Sequence, residues 1–181
     1  MSVHVLPACA RPSSVFISPL SAEGYGASLR AVVTTAAASA AYPAVQRALF
    51  FPFKTYRPET VYRFFWVNGT TASTDNIQVG IYDNAGNSLK LGTSTLASGV
   101  SQCQFDNIAD YVLPAGSYLL AIWGGGTTTH LIRYAPTSRF GRVMGSFQQS
   151  SLASGLPTTA TLALNSSGYV PIFGLALRST P

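Results

Sequence analysis

From Val45 onward, apolar and polar positions alternate with a period of two, the repeat of a half-buried strand. Ala48-Leu49-Phe50-Phe51-Pro52-Phe53 predicts a first strand, at a sheet edge or bulged, because Pro52 has no N–H to donate. Residues 60–67 are rich in aromatic and β-branched side chains and predict a second. Asn68-Gly69 ends it. Residues 76–82 alternate so that Ile77, Val79 and Ile81 share a face. Asp83-Asn84-Ala85-Gly86-Asn87 is turn chemistry, since Asp, Asn and Gly tolerate left-handed backbone, and residues 88–91 return as a hairpin partner. Further strands are expected at 102–111, 117–123, 127–134, 142–147, 160–164 and 169–177. In the 117–123 run, Tyr118, Leu120 and Ile122 share one face and fill the interior, while Leu119, Ala121 and Trp123 take the other. Short strands punctuated by Gly, Pro and Asn, without an amphipathic helix, predict an all-β, jelly-roll-like antiparallel β-sandwich over residues 44–181.

Residues 1–43 follow no such period. They hold Pro7, Pro12, Pro19 and Pro43 and an Ala/Ser/Thr-rich stretch from Ala31 to Ala41, whose Val-Val-Thr-Thr run disfavours a helix. With few large apolar side chains the segment cannot build its own core. It is expected to be an extended N-terminal arm, either a loose tail or one that docks on another subunit. In the docking reading, Tyr25, Leu29, Val32 and Val33 anchor into the partner and Arg30 lies beside its polar or acidic groups.

Composition narrows the class. Charged residues are 9% of the chain, against roughly 25% in ordinary soluble domains, while aromatics are 12%. The aromatic content argues against disorder, and the longest uncharged stretches are too rich in Ser, Thr, Gly and Ala for a membrane span. A surface of hydroxyls and amides, partly covered by neighbouring subunits, absorbs the charge deficit. The net charge of +5 comes from scattered basic residues with no run and no basic helix, so nucleic acid is not an expected partner. No cationic segment followed by an apolar run opens the chain, so synthesis in a cytoplasm and release by assembly or lysis is expected. Cys9 and Cys103 form neither a disulfide framework nor a zinc spacing.

Three pieces resemble the jelly-roll domains of tailed-bacteriophage virion proteins, which are similar to carbohydrate-binding modules. They are the aromatic pair Phe50-Phe51-Pro52-Phe53 and Val61-Tyr62-Arg63-Phe64-Phe65, the hairpin Gln78-Val79-Gly80-Ile81-Tyr82-Asp83-Asn84-Ala85-Gly86, and the run Leu113-Pro114-Ala115-Gly116-Ser117-Tyr118-Leu119-Leu120-Ala121. The end of the chain, Val170-Pro171-Ile172-Phe173-Gly174-Leu175, is similar to how phage jelly rolls finish. The resemblance implies a virion structural protein of the capsid surface, neck, tail or fibre, assembled in the host cytoplasm. Its partners would be other virion proteins and copies of itself. A free-standing lectin-like module that holds a cell-surface glycan is the alternative.

Candidate chemistry is sparse. Catalysis needs convergent titratable groups, and the chain has six acidic residues and two histidines, His4 and His130. No Gly-x-Ser-x-Gly elbow accompanies His130. Asp106 and Asp110 fall on one strand about 13 Å apart, too far for a glycosidase pair. No enzyme activity, cofactor or metal is expected. Asp75, Asn76, Asp83, Asn84 and Asn87 are calcium-type oxygen donors, but their spacing reads as turn formation. Trp123, beside Gly124-Gly125-Gly126 that leave space above it, and Trp66, beside Asn68-Gly69, are each a ligand platform, a subunit contact or core.

Overall fold

The computed structural model describes residues 15–17, 37–134, 146–165 and 167–178. These form antiparallel strands and no helix, so the expected all-β class is what the chain adopts. One sheet orders β12 (Ala163–Leu164), β11 (Phe147–Gln149), β3 (Arg47–Thr55), β9 (Gly116–Gly124), β5 (Asn76–Asp83) and β6 (Ser88–Leu91), with β7 (Thr95–Leu96) also on β5. The facing sheet orders β1 (Val15–Ile17), β14 (Phe173–Leu177), β4 (Glu59–Val67) and β8 (Cys103–Leu113). A small third sheet sets β10 (His130–Tyr134) between β13 (Val170–Pro171) and β2 (Ala37–Ala41).

The period of two explains the interior. Leu49, Phe51 and Phe53 from β3, Ile77, Val79 and Ile81 from β5, and Tyr118, Leu120 and Ile122 from β9 meet Phe64 and Trp66 of β4 and Phe173, Leu175 and Leu177 of β14. The Phe51 and Phe173 rings join the two sheets edge to face, 5.6 Å between centroids. Such a pair is worth about 0.5–1.5 kcal/mol beyond its area. The period breaks once in β4, where Val61 and then Phe64 point inward. A bulge takes up the difference: Val61 pairs with Tyr111, but Arg63 already pairs with Asn107. Tyr62 and residues 108–110 of β8 occupy the irregular stretch between these pairs.

Leu119, Ala121 and Trp123, on the other face of β9, are buried too. They form a second core with Ala48, Phe50, Tyr82, Leu156 and Ala160. The cover is the segment 150–162 between β11 and β12, a strap with little regular structure of its own. Sheet side chains satisfy its backbone: Trp123 Nε1 donates to the Leu152 carbonyl at 2.9 Å, Leu156 N–H donates to Gln78 Oε1 at 2.7 Å, and Tyr82 OH donates to the Pro157 carbonyl. Ala160 N–H reaches the Gly86 carbonyl at 2.7 Å. Gly86 has φ +87°, and a Cβ there would lie 2.8 Å from the Ala160 carbonyl oxygen, so both the turn and the strap require glycine.

Two expectations change. Pro52 is not on an edge strand, since β3 lies between β11 and β9. However, among the described residues β11 pairs only with Ala48 to Phe50, so no described strand pairs with Pro52 on that side. Two stretches of residues 1–43 are strands of the chain's own sheets: β1 pairs with β14, and β2 pairs with β10 along its whole length. Tyr42 follows β2 into the inner core, its hydroxyl on the Ile122 carbonyl at 2.9 Å. Cys9 lies outside the described residues, and Cys103 is half-buried on β8.

Two stability predictions follow from these cores. Leu156→Ala should lower unfolding free energy by about 2–4 kcal/mol, because it empties the strap's side of the second core. Chemical denaturation followed by Trp fluorescence measures this, and a change under about 0.5 kcal/mol would show that the strap contributes little. Asn68 is the second test. Its carboxamide accepts Trp66 Nε1 at 3.1 Å and donates to Ser98 O at 2.5 Å and Gln104 Oε1 at 3.0 Å. Asn68→Leu leaves these buried groups unmatched and should cost about 1–3 kcal/mol in the same assay.

Candidate functional site

Both tryptophans read as possible ligand platforms are core residues. Trp66 is 0% exposed and Trp123 is 5% exposed, and each indole N–H is bonded inside the fold, to Asn68 and Leu152 respectively. The glycines after Trp123 leave no room above it. Gly125 packs on it, since a Cβ there would meet Trp123 Cη2 at 3.2 Å, while Gly124 faces the inner core, where a Cβ would meet the Tyr42 ring at 2.7 Å. Tyr25, Leu29, Arg30, Val32 and Val33 lie outside the described residues.

The oxygen donors are spread over the two ends of the sandwich. Asp75 and Asp83 flank β5 at opposite ends, and each closes its own loop. Asp75 Oδ2 takes the Thr128 N–H at 3.1 Å and the Thr128 hydroxyl. Asp83 takes the Asn87 N–H at 2.8 Å and its carboxamide at 3.0 Å. Among the described residues no cluster of His, Cys, Asp and Glu could hold a metal ion, and no helix is long and apolar enough to cross a membrane. His130 turns its Nδ1 to the Thr128 carbonyl at 3.0 Å. Asp106 and Asp110 also serve different partners: Asp106 accepts the Thr93 N–H at 2.6 Å, and Asp110 pairs with Arg178.

What the fold does assemble is a strip on β4, β8 and the end of β14. The bulge beside Tyr62 sets its geometry. Arg178, just past β14, donates Nε and Nη2 to Asp110 at 2.6 and 2.8 Å, a fork-on-carboxylate pair that spans β4. The Arg178 guanidinium lies 5.0 Å from the Tyr62 ring centroid, and that of Arg63 lies 5.2 Å from the same ring. Arg63 also stacks on Phe105 at 4.9 Å and donates Nε to Asn107 Oδ1 at 2.6 Å. Two guanidiniums are thus held flat by rings, one neutralised by a carboxylate and one bonded to a neutral amide. The sequence carried a sign of this in Tyr62-Arg63 interrupting an apolar run, but the partners on β8 depend on a bulge that alternation does not reveal.

Electrostatics follow the contacts. The Arg178 guanidinium holds the Asp110 carboxyl below its ordinary pKa, and the Asn87 bonds do the same for Asp83. Burial pushes the Tyr42, Tyr82 and Tyr169 hydroxyls up. A depressed carboxylate pKa contributes stability that is complete above the unfolded value, about pH 4, and is lost as pH falls through the folded value. Urea midpoints between pH 6 and pH 2 should therefore fall less steeply in a protein carrying Asp83→Asn and Asp110→Asn. An unchanged acid slope would mean that neither carboxylate is linked to folding.

Comparison with protein-family models, with curated proteins and with solved structures found no match to the chain.

Proposed function

We propose that the protein is a structural subunit of a tailed-bacteriophage virion, a jelly-roll-like block that acts through subunit contacts and not through catalysis. The sequence resemblance supplies the virion setting. The strands that carry it, β3, β4, β5 and β9, are the centre of the sandwich, and successive strands pass between the two sheets. The observation that carries the assembly reading is that two of the exposed apolar side chains, an aromatic one among them, share one end of the sandwich. Tyr56 is 85% exposed and Val112 is 61% exposed. Both sit at the same end of the sandwich, where the Thr55 hydroxyl donates to the Pro114 carbonyl at 2.8 Å and Glu59 pairs with Leu113. Lys54 stacks on the Tyr56 ring at 5.2 Å, holding an exposed tyrosine in place. Rigid aromatic side chains of this kind are enriched at protein interfaces. The lectin alternative based on Trp66 or Trp123 loses its rings to the two cores.

Removing residues 1–43 is a poor test of assembly, because it also deletes β1 and β2 from their sheets. Point changes are cleaner. The whole chain should sediment as a discrete oligomer at micromolar concentration. Tyr56→Ser with Val112→Ser should weaken that association about tenfold or more while thermal stability holds. A monomer at every concentration, with or without the substitutions, contradicts self-assembly through this end.

A further inference from the structure

The strip described above contains one cation that the fold orients without neutralising. Arg63 lies between the Tyr62 and Phe105 rings, and its Nε is bonded to the neutral Asn107 carboxamide. Among the described residues no carboxylate is bonded to its terminal nitrogens. Every carboxylate among the described residues is engaged elsewhere: Glu59 with Arg57, Asp75 with Thr128, Asp83 with Asn87, Asp106 with Thr93 and Asp110 with Arg178.

We infer that Arg63 and Asn107, with Asp110 and Tyr62 beside them, form a binding site for an acidic polysaccharide. The free end of the guanidinium takes a sugar carboxylate in a two-bond fork. Because Asn107 Oδ1 accepts from Arg63, its amide N–H groups are left to donate to the same carboxylate or to a sugar oxygen. Asp110 is about half exposed and keeps lone pairs for sugar hydroxyls. Asp110 also decides against nucleic acid. A DNA strand carries no free hydroxyls beside its phosphates to donate to Asp110, whereas a glycan with one carboxylate per sugar can set its charge on Arg63 and its hydroxyls on Asp110. Asp110 stands two residues from Val112 on β8, but the site rests on Arg63 and Asn107 and does not depend on the assembly reading.

The test uses the whole chain with polygalacturonate, neutral dextran and single-stranded DNA as probes in titration calorimetry. The wild type should bind polygalacturonate and neither of the others. Arg63→Gln should weaken that binding about tenfold or more, the usual effect of losing a charge-assisted pair. Asn107→Asp keeps the acceptor for Arg63 Nε while neutralising the guanidinium in place, and it should weaken binding at least as much with unchanged thermal stability. Lys90→Gln removes one charge from β6, in the other sheet, and should bind as the wild type does. No binding of polygalacturonate by the wild type would overturn the inference. So would unchanged binding in both strip variants, an equal loss in Lys90→Gln, or equal affinity for DNA.

Discussion

β9 meets apolar side chains on both of its faces, and the position of the other elements follows from that. A strand so placed needs a hydrogen-bonded neighbour along each edge, which β3 and β5 provide, and a layer over each face. The β4–β14 sheet is one layer. The strap 150–162 is the other, and as it forms few ladder bonds it must find partners for its own peptide groups. Gln78, Tyr82 and Trp123 meet this need from the outer face of the sheet. These polar groups therefore serve the fold: they allow an irregular segment to lie on an apolar surface without stranding its amides and carbonyls.

The same requirement shows why parts of the chain were readable from sequence and others were not. β5 has a polar residue at Gln78, which makes the parity of Ile77, Val79 and Ile81 plain, and the turn that follows is written in Asp, Asn and Gly. β9 was legible as a strand because seven consecutive residues suit one, although only the inner face was assigned its correct covering. In β4 nearly every residue from Val61 to Val67 is apolar or aromatic, so alternation cannot reveal that the inward set skips from Val61 to Phe64. β2 is built from alanine and serine, which carry no pattern. It is held by pairing with β10, a contact between residues about ninety positions apart. The strap has Leu152, Leu156 and Ala160 at a spacing of four among Ser, Thr and Gly, but it bonds the sheet through its own backbone groups, which leave no mark on composition.

The tryptophans show where site reasoning from sequence ran out. Each ends a strand beside small or polar residues, and that context suits a platform as well as a core. The outcome depended on contacts that the local context does not show: the Leu152 carbonyl for Trp123, and Gln104 holding Asn68 beside Trp66. The surface features that emerged instead are the exposed Tyr56 and Val112 end and the Arg63 strip. Both arise where the regular alternation stops, at a tight connection in one case and at a bulge in the other.

Hydrogen exchange resolved to single amides tests the two-sided burial of β9 most directly. Leu156 and Ala160 donate their N–H groups to the sheet and to the hairpin turn, so they report on the strap itself. If the strap is an integral layer, these amides exchange with the same opening free energy as those of β9 and β5, in one cooperative unit. Rapid exchange at Leu156 and Ala160 while β9 stays protected would contradict the account, since the outer face of β9 would then be stable without its cover.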